Sequence, residues 1–410
     1  MTGPLHGIRI VDLSAVLMGP YGTQTLGDMG ADIIKVESLE GDLVRQIQPA
    51  RNPGMGHVFL NTNRSKRSLA MDLKSPQGRE ALLRLAKDAD VLVYNMRPQA
   101  MGRLGLTYED VAKINPKIIY IGVFGYGENG PYAGRPAYDD LIQGAVGLPS
   151  LILQAGATLP RYVPCAISDR IVGLIAANAV LGALVHRSKT GKGQKIDMPM
   201  FETMATFVLN DHLGGMTFEP PVGGAGYVRL LSKERRPYRT KDGYICAMIY
   251  NDKHWANFTQ AMGKEAPFTA DPRFATFGDR IKHTDEVLGK ISDLFLTRTS
   301  AEWIKILDAA DIPVMSLHNL DTIFEDEHLK AVGFFGREEH PTEGTLLRMP
   351  AAGHWSETQP ASWRHAPRLG EQSVEILKEA GFSQAEIDDM LKKKIIAVST
   401  PGSGAAKAEV

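Results

Sequence analysis

The stretch "AISDRIVGLIAANAVLGALVHR", residues 166–187, sets one acidic residue, Asp169, at the head of a run with almost no other charge. A carboxylate there has two uses. Aspartate is among the best helix N-caps, and an ionised carboxylate is also a nucleophile toward activated acyl carbon. The preceding "RYVPCAIS" reads as a strand, and from Ile171 the helical pattern is apolar on every face, which predicts a buried helix. Gly173, Ala176, Ala177, Gly182 and Ala183 make it slim enough for close packing. Asp169 is thus expected at a strand-to-helix junction, and residue type alone leaves capping and reaction both open.

Other patterns suggest chemistry that their context does not support. "GYGENG" matches GxGxxG at Gly125, Gly127 and Gly130 after a strand-like segment. A dinucleotide fingerprint must open a helix that receives the pyrophosphate, whereas here Pro131 follows at once; a glycine-rich turn is expected. "TGKGQK" (190–195) lacks the GxxxxGK[ST] spacing of a phosphate loop and reads as a basic surface turn. The eleven histidines are scattered without metal-ligand spacing. Cys165 and Cys246 form no CxxC motif, and Cys165, four residues before Asp169, reads as a small strand residue. The turn "LSAVLMGPYG" (13–22) follows the first strand, where α/β sheets place ligands, and helix-start N–H groups near Gly22 could meet a phosphate, although its spacing alone favours a structural turn.

The elements that must position these residues alternate. "IRIVDLS" (8–14), "ADIIKVE" (31–37), "ADVLVYN" (89–95) and "KIIYIGV" (117–123) are strand-like. Helical patterns at 21–30, 76–87 and 108–115 separate them, the second capped by Ser75 with Pro76 at its first position. This predicts an α/β fold with a doubly wound, mainly parallel, Rossmann-like sheet. From 218 to 243 the chain turns rich in glycine, proline and charge, as a linker into a smaller α+β domain would be. That domain is expected to hold a strand at 244–250 and helices near 254–263, 284–297 and 300–310, the last with a Thr299/Glu302 capping box. The low-complexity tail at 399–410 is expected to be disordered.

Composition excludes some functions. Over 410 residues, 46 basic against 47 acidic side chains leave a net charge of −1, so no global field recruits nucleic acid or an anionic membrane. The longest apolar run, Gly173 to Val185, falls short of the ~20 residues of a membrane span. With no signal pattern and two cysteines, a soluble cytoplasmic protein is expected.

The opening "LHGIRIVDLSAVLMGPYGTQTLGDMGADIIKVE" resembles that of the class III CoA-transferases, the carnitine dehydratase and bile-acid-inducible protein F (CaiB/BaiF) family. "NRSKRSLAMDLKSPQGREAL" (63–82), "VYNMRPQAMGRLGL" (93–106), "NPKIIYIGVFGYGENGPYAGRPAYD" (115–139), the Asp169 segment with "HRSKTGKGQK", and "PRLGEQSVEIL" (367–377) extend the resemblance over nearly the whole chain. The resemblance implies a large domain made from both chain ends, 1–215 and 326–398, with a small domain at 216–325 between them, a homodimer of interlocked rings, and Asp169 as the nucleophile. It implies CoA contacts at Val16, Leu17, Met71, Asp72, Leu73, Lys74, Asn95, Met96, Arg97, Arg103, Arg135 and Tyr138. Coenzyme A is then a substrate, as acyl-CoA, with a carboxylic acid as partner; no metal and no permanently bound cofactor are implied.

Chemically, an ionised Asp169 would attack an acyl-CoA thioester to form a mixed anhydride, and the released thiolate would return to give an aspartyl-CoA thioester. Aspartate's ordinary pKa of about 3.9 leaves most of the group ionised at neutral pH even after a rise of ~2 units on burial. Departures from family patterns bear on substrate. Ser38 and Leu17 stand where formyl-CoA transferases carry arginine and glutamine, which argues against formyl/oxalate exchange. Tyr138 stands where α-methylacyl-CoA racemases of the same superfamily carry a histidine, and a tyrosine of pKa about 10 is a poor general base near neutrality. A non-catalytic CoA-binding protein is the remaining alternative. In the divergent 215–240 region, Gly223–Gly226 reads as a linker or a mobile lid, and Arg229, Arg235, Arg236 and Arg239 as solvated cations or partners for a substrate's second carboxylate.

Overall fold

The computed structural model describes residues 3–399, so of the expected tail only Ser399 lies within the described residues. The chain divides into two compact units: residues up to 146, 163–206 and from 333 onward form the first, and 147–162 with 207–332 form the second.

The first unit is built on a seven-stranded sheet. In chain order it contains β1 (Arg9–Asp12), α1 (Met18–Asp28), β2 (Asp32–Glu37), β3 (Lys66–Met71), α2 (Pro76–Lys87), β4 (Val91–Tyr94), α3 (Pro98–Leu104), β5 (Ile119–Phe124), α4 (Asp139–Ala145), α5 (Ile167–Thr190) and β6 (Gln194–Pro199). The spatial order is β3-β2-β1-β4-β5-β6, all parallel, with the short strand Ile396–Ala397 added antiparallel outside β3. Parallel strands covered on both faces read as near-continuous apolar runs. That is why "IVD", "IIKVE" and "IYIGVF" are buried almost throughout.

Alternate residues serve opposite layers. Val11, Ile34, Leu69, Leu92 and Tyr120 pack with Ala81, Leu82 and Leu85 of α2 and with Ile376, Leu377 and Ile387 near the C-terminus. On the other face Val93, Ile121 and Val123 meet Leu26 of α1 and Ala176, Ala177 and Val180 of α5. Helices on both faces make the sheet doubly wound. Ser75 accepts the Gly78 N–H and Pro76 starts α2, as expected from the sequence.

Three expectations around α5 are corrected. "RYVPCAIS" forms no strand: Pro164 cannot donate to a ladder, and tight turns run from Cys165 N to Val163 O and from Ile167 N to Cys165 O. The helix therefore starts at Ile167, four residues earlier than expected. It is also not buried all round. Val172, Gly173, Ala176, Ala177, Val180 and Ala183 face the interior, while Leu174 and Val185 are 41% and 54% exposed. At 24 residues α5 is long and apolar enough to cross a membrane by length and composition, yet its small residues lie against α1 and β5. The closeness is extreme at one crossing: a Cβ on Gly22 would lie 2.6 Å from the Gly173 carbonyl oxygen, and one on Gly173 2.5 Å from that of Met18.

The second unit is α+β. A three-stranded antiparallel sheet, β7 (Tyr238–Arg239), β8 (Tyr244–Ala247) and β9 (Val314–Ser316), accompanies α6 (Asp252–Met262), α7 (Thr284–Phe295) and α8 (Ser300–Ala309). The Thr299/Glu302 capping box opens α8. Its core is aromatic, with Trp255, Phe258, Phe274, Phe295 and Trp303 buried together. The Trp303 indole N–H is satisfied by the Phe295 carbonyl at 2.8 Å.

Candidate active site

In the order β3-β2-β1-β4-β5-β6 the chain reverses direction of travel between β1 and β4, and open α/β sheets bind ligands outside the carboxyl ends of the strands at such a point. Two side chains clamp the loop that leaves β1 there. Asn95, just after β4, accepts the Ala15 N–H at 3.0 Å and donates to the Ala15 carbonyl at 2.7 Å. Both oxygens of Asp42 accept the Val16 N–H, at 3.0 and 3.1 Å. Val16 needs this support, because its φ of 70° is a left-handed conformation costly for a β-branched residue.

Buried charges carry the clamp. Lys35 Nζ lies 2.9 Å from both Asp42 and the Ser14 carbonyl. Burial alone would make Lys35 easier to deprotonate, but Asp42, Glu37 and Asp12 outweigh it and hold the ammonium charged. Asp12 is fully buried, which disfavours its charge, yet Lys66 and Lys35 with the hydroxyls of Ser14 and Thr23 keep it ionised. Glu37 is drawn down to about 2 against its own burial by the Arg45 guanidinium, which meets it at 2.7 Å. Sequence reading missed this network; its signal was lysine, glutamate and aspartate inside otherwise apolar strands.

The residues singled out for CoA all follow strand ends in this unit. Val16 and Leu17 leave β1, Met71 to Lys74 end and follow β3, Asn95 to Arg97 follow β4 with Arg103 on α3, and Arg135 and Tyr138 close the long loop after β5. Two need correction in detail. The Met71 side chain is 1% exposed in the core, because Met71 pairs with Ile396 inside the sheet, so only its backbone can face a ligand. Gly22 is not at a helix start: α1 begins at Met18, and Gly22 is in its second turn against Gly173. Lys74, Arg97, Arg103 and Arg135 are exposed, and none is held in an ion pair among the described residues. Four cations without a carboxylate partner among the described residues, one of them, Arg135, stacked over the Tyr132 ring at 4.5 Å, suit a polyanion beside the strand ends. In the Gly125–Gly130 turn the Gly127 N–H is taken by Glu202 at 2.9 Å, which is the turn expected rather than a phosphate cradle.

Asp169 occupies the third position of α5, behind the N-cap residue Ala166 and Ile167 and Ser168. It is therefore not the cap. Its own N–H is instead accepted at 2.9 Å by Asp139 at the start of α4. Asp139 is held from its other oxygen by Gln143 at 2.6 Å, and Gln143 in turn accepts the Val163 N–H at 2.8 Å. The Asp169 carboxylate accepts no hydrogen bond among the described residues, although the residue is half-buried. Burial, then the charge of Asp139, push its pKa up to about 7, with Arg170 opposing. Arg170 is itself occupied over the Tyr21 ring at 4.3 Å. The outcome exceeds the rise of ~2 units expected, because the like charge of Asp139 adds to desolvation. A carboxyl group that structure does not employ, poised to be ionised near neutrality, is chemically a nucleophile or a general base.

The chain is similar to known proteins over most of its length. Residues 5–373 match the model of CoA-transferase family III. An acyl-CoA transferase of Fusarium pseudograminearum is 32% identical, over 94% of this chain and 86% of its own length. The succinate–glutarate CoA-transferase of Agrobacterium fabrum is 31% identical, over 92% and 95%. The crystal structure of a CaiB/BaiF family protein from Brucella suis superposes with a TM-score of 0.75 at 30% identity, covering 93% of this chain and all of that one.

Proposed function

This chain belongs to CoA-transferase family III, and from that premise we propose that it moves CoA from an acyl-CoA donor to a carboxylic acid through covalent intermediates on Asp169. The observation that carries the reading is the Asp169 carboxyl: half-buried, free of hydrogen bonds among the described residues, and titrating at about 7. Its ionised oxygen attacks the thioester carbonyl, the C–S bond breaks, and a mixed anhydride and CoA thiolate result. The thiolate attacks the aspartyl carbonyl, which releases the donor acid as carboxylate and leaves an aspartyl-CoA thioester. The acceptor carboxylate then attacks this thioester, and the thiolate attacks the acyl carbonyl of the new anhydride. Acyl-CoA departs and Asp169 is regenerated as carboxylate.

No proton is consumed and no base is required; what the site must supply is ionised aspartate and exclusion of water from the anhydride. The loops after β1, β3, β4 and β5 would hold CoA, with Lys74, Arg97, Arg103 and Arg135 on its phosphates and the Val16 and Leu17 backbone near the thioester. Succinyl-CoA is the donor we favour, since a relative at 31% identity is named for succinate and glutarate. A homodimer fits the apolar residues left exposed within the second unit at Leu213, Met216, Phe218 and Val222. A cytoplasmic setting fits two free, exposed cysteines.

The test is product analysis by liquid chromatography with succinyl-CoA and a panel of carboxylic acids. New acyl-CoA must appear with the native enzyme and be lost in Asp169→Ala.

A further inference from the structure

The second unit holds a cavity of about 380 Å³, and none of its lining residues belongs to the CoA site proposed above. That volume is in the range of small-molecule sites. Its walls are mostly apolar, with Met248, Ile249, Leu288 and Val314 among them. Two polar groups of the lining have no carboxylate, oxygen or nitrogen partner among the described residues. The guanidinium of Arg229 lies over the Tyr250 ring at 4.8 Å and touches the Met248 sulfur at 3.0 Å, with no carboxylate within ion-pair distance among the described residues. Tyr238 is 7% exposed, packs edge-on against Phe295, and its hydroxyl has no hydrogen-bond partner among the described residues.

The other arginines of the lining are either paired or, for Arg235, exposed without an ion pair among the described residues. Arg280 is neutralised by Asp252 and also donates to the Phe274 carbonyl, and Arg236 is paired with Glu234 at 3.1 Å. One half-buried cation without a counter-ion and one hydroxyl that keeps contact with solvent and has no protein partner among the described residues are both open to a ligand's carboxylate. Arg229 and Tyr238 both line the cavity, and Arg229 acts electrostatically on the Tyr238 phenol.

We propose that this cavity is a binding site for an amphipathic monocarboxylate, its carboxylate held by Arg229 and the Tyr238 hydroxyl and its hydrocarbon body along Met248, Ile249 and Val314. A small dicarboxylate such as succinate fits less well, because it lacks the hydrocarbon body that the mostly apolar walls would cover. The proposal does not rest on Asp169, and its test needs no turnover. Cys246 is a free, exposed thiol in the lining and reports occupancy.

In a Cys165→Ser background, alkylation of Cys246 by iodoacetamide would be followed by intact mass, with octanoate, octan-1-ol or succinate added to the full-length protein. Octanoate is expected to slow alkylation strongly, octan-1-ol weakly and succinate not at all. Arg229→Gln, checked for an unchanged melting temperature, should raise the half-protecting octanoate concentration by about tenfold or more, as loss of a charge-assisted hydrogen bond does. Tyr238→Phe should raise it less while keeping the ring packing. Equal protection by octanoate and octan-1-ol, no protection by octanoate, or a native protein in which Cys246 reacts only after unfolding would each overturn the site. Adding succinyl-CoA distinguishes two sources of such an acid: octanoyl-CoA among the products marks it as an acceptor, and protection without octanoyl-CoA marks it as a ligand that is not transferred.

Discussion

Asp139 accepts the backbone N–H of Asp169 at 2.9 Å, so the residue that caps α5 is also the one whose charge crowds Asp169. Capping and a carboxylate left free to react, which compete for a single aspartate in the sequence, are divided between two.

Asp139→Asn should separate these roles. Loss of the like charge lowers the Asp169 pKa, so the acid limb of the rate profile, expected near 7, should move to lower pH by roughly half to one unit. The cap survives only if the amide oxygen faces Asp169, which sets the new NH2 against the Gln143 NH2 and costs about 1 kcal/mol of stability. A pH–rate profile beside a denaturant titration checks both; an unmoved acid limb would remove Asp139 from the account.

Asp169 should cost stability where it is ionised. Its folded pKa is raised from 3.8 to about 7, so the folded state binds the proton more tightly than the unfolded one. The penalty is absent below about pH 4, grows as pH rises through the window between the two values, and is complete above about 7. Asp169→Asn should therefore be more stable than the native chain by about 1–3 kcal/mol at high pH and equal to it at low pH. Melting temperatures across that range would show it, and a gain independent of pH would contradict the assignment.

Gly173→Ala should be severely destabilising. The added methyl would stand 2.5 Å from the Met18 carbonyl, a backbone atom that moves only if α1 and α5 separate. A cost of about 2–4 kcal/mol is expected, whereas Gly182→Ala, which meets nothing within 4 Å inside the same helix, should be stabilising by about 0.5–1 kcal/mol. Urea midpoints for the pair provide the comparison.

Asn95→Ala should act on CoA binding more than on turnover. It removes both hydrogen bonds to Ala15 and frees the loop that carries Val16 at φ 70°. KM for acyl-CoA should rise about tenfold with kcat changed less, since uniform binding is what is lost. A fall in kcat at unchanged KM would assign Asn95 to the chemical step instead.

The sheet and its helices were legible because their signals are local: apolar runs such as "IRIVD" and "ADIIKVE", and the Ser75–Pro76 and Thr299/Glu302 caps. The entry to α5 was not. "RYVPCAIS" has strand-like residues, but the contacts that shape it, Gln143 to Val163 and Asp139 to Asp169, come from residues 20 and 30 positions away. The clamp on Val16 was equally hidden, since Asp42 and Asn95 reach it from beyond other strands. Asp169 itself stood out by its isolation, and only packing revealed why its charge is tunable.

The central claim is covalent chemistry at Asp169, and mass spectrometry of the peptide that contains it, after brief incubation with succinyl-CoA, other acyl-CoA donors or none, tests it most directly. The account predicts a donor-dependent CoA adduct on Asp169 that a carboxylic acid discharges. No adduct with any donor, together with exchange of α-deuterium into a branched acyl-CoA, would contradict it and make Asp169 a proton-transfer residue.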